Sequence, residues 1–305
     1  MLTYFQAVVI GLFQGITELF PVSSLGHAVL LPKLFGWDNL VKAQSANESF
    51  FLAFLVALHV ATALALVVYF RDEWLRIVPA VVRTLRTRRI DTPDERLGWL
   101  LVVATIPAGI IGLALEHTLR TVFAKPAAAA GFLIVNGLIL LGGEWVRRQS
   151  AVRHMAVARA SADGDGDGDG AAESGTDVRR LATFEFKEAG VIGVAQSLAL
   201  LAGISRSGIT MVAGLARGLD HEDAARFSFL LATPIILAAG VYKMPDLLGP
   251  LGDGIRAQAL VGAVVAGVAA WFSVSFLVRW FETRTLWPFG IYCLVAGALA
   301  LLRFA

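Results

Sequence analysis

The chain has 305 residues, of which 57% are hydrophobic and 16% charged, with a mean hydropathy of +0.69 and a formal net charge of +2. That balance excludes an ordinary soluble globular domain and gives no basis for nucleic-acid binding; it is the composition of a polytopic membrane protein. A single cysteine, Cys293, excludes an intramolecular disulfide framework and a cysteine-rich metal site.

In chain order, the first apolar segment covers residues 3–35 and is interrupted at Glu18-Leu19-Phe20-Pro21-Val22-Ser23-Ser24. It lacks a basic leader and a small-residue cleavage site, so it is expected to belong to the mature protein. Proline and polar residues at its centre predict two half-helices, a re-entrant hairpin, because broken backbone inside a bilayer is tolerated only when buried in protein or lining a cavity. Three long apolar runs follow, at 50–70, 97–115 and 127–145. Each approaches the roughly 20 residues that cross a hydrocarbon core.

Residues 149–180 contain an Asp-Gly repeat from Asp163 to Gly170 and have almost nothing to bury, which predicts a disordered cytoplasmic linker. A calcium loop is disfavoured because the twelfth position from Asp163 is Ser174, where a bidentate glutamate is required. A second broken segment, 189–217, is interrupted at Gly203-Ile204-Ser205-Arg206-Ser207-Gly208, and runs at 227–242, 257–278 and 286–302 complete the chain. At an offset of 182 residues the broken segments align Gly11 with Gly193, Gln14 with Gln196, Ser23 with Ser205 and Gly26 with Gly208. The expectation is an all-α fold of two repeats, 1–148 and 181–305, each a re-entrant hairpin plus three transmembrane helices. Three crossings per repeat invert the second copy relative to the first.

Arginines crowd the stretches 71–96 and 147–187 and recur at Arg217, Arg226, Arg279 and Arg284, whereas the opposite face receives Lys33, Lys42, Arg120, Lys125, Lys243, Arg256 and Arg303. The positive-inside rule then makes the arginine-rich loops and the 149–180 linker cytoplasmic, with both termini and the first hairpin's mouth outside.

Glu18 stands within an apolar run, where a carboxylate costs roughly 2.5–3.5 kcal/mol on insertion scales. It is read as a metal ligand or general base, against the plainer reading of a hydrogen-bonded structural plug. Ser23, Ser24, Gly26 and His27 add hydroxyls, flexible backbone and an imidazole, the parts of nucleophilic or acid–base catalysis. Arg206, among Ser205, Ser207, Gly208 and Thr210, suits phosphate oxygens at a helix N-terminus, or else neutralises Glu18. His59 is a weaker catalytic candidate that would serve equally as a helix–helix hydrogen bond.

The run Gln14-Gly15-Ile16-Thr17-Glu18-Leu19-Phe20-Pro21-Val22-Ser23-Ser24-Leu25-Gly26-His27 and the run Ala202-Gly203-Ile204-Ser205-Arg206-Ser207-Gly208-Ile209-Thr210 resemble the two signatures of the bacitracin-resistance type undecaprenyl-diphosphate phosphatases. The likeness continues through Arg96-Leu97-Gly98-Trp99, Thr105-Ile106-Pro107-Ala108 and Ala225-Arg226-Phe227-Ser228. It implies an enzyme of the bacterial inner membrane that converts undecaprenyl diphosphate to undecaprenyl phosphate, recycling the cell-wall lipid carrier, with a divalent metal (Mg or Ca). It also implies Glu18 as essential carboxylate and metal ligand, Ser24 as nucleophile, His27 as its acid–base partner and Arg206 as diphosphate clamp. Substrate contacts are expected at Ser23, Gly26, Ser205, Ser207, Gly208 and Thr210. Expected partners are the lipid substrate and membrane lipids, with a homodimer left open. Gln14, Leu25 and Ala202 depart from the family pattern, and Gln14 removes one candidate metal ligand. The alternative function is a polyprenyl-phosphate transporter or flippase, since broken helices in inverted repeats also build transporters.

Overall fold

The computed structural model describes residues 2–44, 50–123, 125–162 and 183–304, and among these it is helical without strands. Helix α1 (Tyr4–Thr17) begins at a capping box, in which the Thr3 hydroxyl accepts from the Gln6 N–H and the Gln6 side chain accepts from the Thr3 N–H. It stops at Glu18, ahead of Pro21, which lacks the N–H that a further turn would need. Helix α2 (Ser24–Leu34) restarts the chain after Ser23, whose backbone lies at φ 71°. A short α3 (Asp38–Gln44) then leads to α4 (Phe50–Tyr69).

Among the described residues six helices are long and apolar enough to cross a membrane: α4, α6 (Pro93–Phe123, apolar to Leu115), α7 (Pro126–Ala162, apolar to Gln149), α10 (His221–Leu248), α11 (Arg256–Thr283) and α12 (Trp287–Phe304). They coincide with the six apolar runs, so the chain is a multi-pass membrane protein. Several outrun the apolar stretch. The Asp220 carboxylate caps α10 through the Asp223 N–H at 2.6 Å, which starts that helix ahead of its hydrophobic residues.

Two stretches differ from expectation. The arginine-rich segment after α4 is not a loop but α5 (Arg71–Thr87). Its apolar residues recur with helical spacing, a period that the intervening arginines obscure. The segment expected to be disordered from 149 is helical to Ala162, in keeping with the high helix propensity of its alanines and arginines. The Asp-Gly repeat lies outside the described residues.

The second broken segment comprises α8 (Phe186–Ala195), a 3-10 turn over Gln196–Leu200, an extended break with Gly203 at φ 115°, and α9 (Arg206–Ala216). Broken and spanning helices interlock across the halves: α1 packs on α11, α8 on α6, and α7 on α12. Gly11 lies against the Gly262 backbone, and Gly193 lies against that of Ala104. Lipid offers helices no hydrophobic drive to associate, so close backbone approach at small residues supplies the packing energy. The result sets both breaks side by side at the centre of the molecule.

Candidate active site

Both breaks are capped in the same manner. The Ser23 hydroxyl accepts from the Gly26 N–H at 3.2 Å, and the Ser205 hydroxyl accepts from the Gly208 N–H at 3.1 Å. The Ser23 hydroxyl also accepts from the Gly203 N–H at 3.2 Å, tying one break to the other. This contact requires small residues: a Cβ on Gly26 would come within 2.9 Å of the Gly203 Cα, and the positive φ of Gly203 disfavours any side chain there. Asn136, fully buried on α7, completes the clamp. Its amide nitrogen donates to the Pro21 carbonyl at 3.0 Å, and its oxygen accepts from the Ser205 N–H at 2.9 Å.

Around this joint Glu18 collects partners from four helices. One carboxylate oxygen pairs with the Arg206 guanidinium. The other accepts from Gln14 Nε2 at 2.8 Å and from the Ser24 hydroxyl at 2.5 Å, and it lies 3.3 Å from His59 Nε2. His59 Nδ1 is 2.8 Å from the Leu55 carbonyl, which can only accept. The proton of a neutral His59 ring therefore belongs on Nδ1, and Nε2 is the position that can take and release a second proton beside Glu18.

A cavity of about 380 Å³ opens over this cluster, lined by Glu18, Ser24, His59 and Arg206 together with an apolar wall that includes Val56, Leu200 and Ile236. The N-termini of α2 and α9 both border it, through Ser23, Ser24 and Leu25 on one side and Ser205 and Arg206 on the other. Two positive helix ends, a guanidinium and hydroxyls are the groups from which anion sites are built. The apolar wall suits a lipid chain.

The structure thus brings Glu18, Ser24 and Arg206 together with Gln14 and His59, the two weaker candidates from the sequence. His27 is elsewhere and does not line the cavity. Its Nδ1 donates to the Ser23 carbonyl at 2.7 Å, leaving Nε2 to accept from the Tyr292 hydroxyl at 2.8 Å, with the two rings stacked. Four helical residues past the break, its ring is turned toward α12 instead of Ser24. Ser207 and Thr210 likewise face the packing: the Ser207 hydroxyl lies 3.0 Å from that of Ser205 and donates to the Phe20 carbonyl at 3.4 Å, and Thr210 donates to the Arg206 carbonyl at 2.8 Å. Gly26 and Gly208 serve as cap donors and spacers.

Sequence reasoning missed four residues. Asn136 and Tyr292 are single polar groups in apolar helices and had no motif to mark them. Lys243 lines the cavity from α10, at a position counted only as loop charge. Gln196, noted only for its repeat match with Gln14, also lines the cavity. Its Nε2 donates to the Ala104 carbonyl at 2.6 Å, while its buried Oε1 has no hydrogen-bond partner among the described residues.

The fold and site together define a polytopic helical membrane protein whose cavity, between two broken helices, holds a carboxylate, a guanidinium and two helix N-termini. The family profile described as "Bacitracin resistance protein BacA" matches residues 7–299, and the chain belongs to that family. It is 58% identical to "Undecaprenyl-diphosphatase 2" of Frankia alni, over 100% of this chain and 98% of the relative. It is 56% identical to "Undecaprenyl-diphosphatase" of Mycolicibacterium paratuberculosis over the same shares of the two chains. The protein of that name from Granulibacter bethesdensis is 44% identical, over 98% of this chain and 97% of the relative.

Proposed function

We propose that the chain is an integral membrane hydrolase that removes the terminal phosphate of undecaprenyl diphosphate, returning undecaprenyl phosphate to cell-wall synthesis and so conferring bacitracin resistance. The observation that carries this reading is the single cavity in which Glu18 accepts from the Ser24 hydroxyl at 2.5 Å while pairing with Arg206.

In the proposed reaction the Ser24 proton passes to Glu18 as Oγ bonds to the terminal phosphorus. The bond from that phosphorus to the bridging oxygen breaks, and undecaprenyl phosphate leaves. Water then attacks the phosphoserine phosphorus, giving a proton to His59 Nε2, as the bond from phosphorus to Oγ breaks and Glu18 returns its proton to Oγ, which releases phosphate and restores the hydroxyl. Arg206 moves its charge from Glu18 toward the phosphoryl oxygens, and the ends of α2 and α9 stabilise charge that develops there. Gln14 orients Glu18. His27 acts through Ser23 and Tyr292 as a positioning residue.

A divalent cation such as Mg or Ca fits this donor set in one form. Among the described residues no group of three or more His, Cys, Asp or Glu side chains could hold a metal, which disfavours an all-protein cage. Hard cations take oxygen donors and commonly rest on one carboxylate plus substrate phosphates and water. Glu18 in the cavity supplies the carboxylate of such a half-site. When bound, the ion would neutralise diphosphate charge.

The architecture we infer is an inverted repeat, 1–148 and 181–305 joined by the 149–180 linker, with 3–35 and 189–217 as re-entrant hairpins. The matched caps at Ser23 and Ser205 support it, as do the exchanged packings of α1 on α11 and α8 on α6. For an inner-membrane protein, the arginine bias supports an orientation with both termini and the cavity mouth outward and the linker in the cytoplasm. The test is phosphate release from undecaprenyl diphosphate by the purified protein, with and without chelator. Release that chelation abolishes is expected; absence of release under both conditions would remove the enzymatic reading in favour of transport.

A further inference from the structure

We infer that α5 is an interfacial helix whose basic C-terminal end binds the phosphate groups of anionic phospholipids. The helix joins two spanning helices, α4 and α6, so it begins and ends at one membrane face. It is mounted firmly on the bundle. Ile77 and Thr84 are buried, Gly98 of α6 packs against Ile77 and Val81, and the Trp99 indole donates to the Thr84 hydroxyl at 2.7 Å. Arg83 forks onto Glu95 with both contacts at 2.7 Å, Arg76 lies 3.7 Å from Asp94, and Arg226 of α10 holds Glu73 at 3.1 Å. These contacts on α6 all fall on residues 94–99, so α5 crosses the first turns of that helix and does not follow it into the bilayer.

The opposite side of α5 is covered by none of the described residues. Leu75, Val78, Val82 and Leu85 are 72%, 53%, 48% and 64% exposed, and their spacing puts them on one stripe. At the helix end Arg86, Arg88 and Arg89 are exposed, and no ion pair joins them to a described residue. Arg88 adopts the left-handed conformation that ends the helix, and Ile90 beyond it is again exposed. An apolar stripe edged by arginines is the pattern of a helix lying in the headgroup layer. Its continuity with two spans puts it at that depth without any partner protein. Three guanidiniums without an ion-pair partner among the described residues match phosphodiester oxygens there, which they can bind in a bidentate fork, and basic residues near an anionic leaflet are drawn to it. This proposal does not depend on the reaction assigned to the cavity.

The experiment uses the full-length protein in nanodiscs of equal parts phosphatidylglycerol and phosphatidylcholine. A bimane label on Val78→Cys should be quenched by lipids brominated on their acyl chains. Native mass spectrometry of the unlabelled protein should show phosphatidylglycerol retained over phosphatidylcholine. Replacing Arg86, Arg88 and Arg89 together by Gln should lower that preference by roughly tenfold, with the quenching at position 78 unchanged. An unquenched label would overturn the interfacial placement, including one shielded by a bound protein. Equal retention of the two lipids by the unmodified protein, or an unaltered preference in the triple variant, would overturn the anionic-lipid site.

Discussion

The hydroxyl of Ser23 accepts the backbone N–H of Gly203 at 3.2 Å, joining residues 180 positions apart. The same oxygen caps α2, so one side chain fixes both the start of the helix that carries Ser24 and its distance from the Arg206 break. Removing it should cost a cap, about 1 kcal/mol, and leave a buried N–H unpaired, a further ~1–3 kcal/mol. Ser23→Ala should lower the unfolding temperature and reduce turnover, whereas Leu12→Ala, at an exposed position of α1, should do neither. Thermal unfolding in detergent alongside phosphate release checks both.

Glu18 and Arg206 pair with each other, and whether that is their whole purpose is open to a direct test. If pairing were everything, Glu18→Gln combined with Arg206→Leu would recover most of what each single change loses, because no unpaired buried charge would remain. The expected outcome is a folded but inactive double variant. Steady-state kinetics on the four proteins of the cycle decide it.

His59 and His27 should separate by rescue. His59 Nε2 faces the carboxylate as a proton carrier, so His59→Gln should reduce turnover by roughly 10²–10⁴-fold without loss of fold. His27 holds the Ser23 carbonyl and the Tyr292 hydroxyl, a role that needs hydrogen bonds and no proton transfer. His27→Gln should therefore keep much more activity than His27→Ala, and Tyr292→Phe should share the latter's loss of thermal stability.

Lys243 stands on the cavity wall about two turns along α10 from Ile236, which lines it deeper in. A cation there should attract the diphosphate before chemistry begins. Lys243→Gln should raise KM by roughly 3–10-fold with little change in kcat, and the difference should shrink at high salt.

Orientation is open to labelling. A cysteine in place of Gly166 should react with an impermeant thiol reagent only after the membrane is opened, and the buried Cys293 should contribute little background. Reaction in intact cells would reverse the topology.

The amino-acid sequence by itself determined the spans, because about 20 apolar residues in a row have few other fates. It also determined where the spans break, since Pro21, the polar Glu18 and the Gly203–Gly208 run cannot continue an apolar helix. The likeness of the broken segments, from Gln14 and Gln196 to Gly26 and Gly208, was legible as spacing alone. Only the tertiary structure decided which side chains meet. His27 sits three residues from Ser24 in the chain yet turns to Tyr292, while His59, 35 residues away, reaches Glu18. Direction around a helix restarted at φ 71° depends on a backbone angle that residue type does not reveal. The same holds for Asn136, whose two hydrogen bonds to the breaks exist only once α7 is packed between them. In α5, the arginines that made the segment read as a loop lie beside an apolar stripe whose exposure only the packed bundle could show.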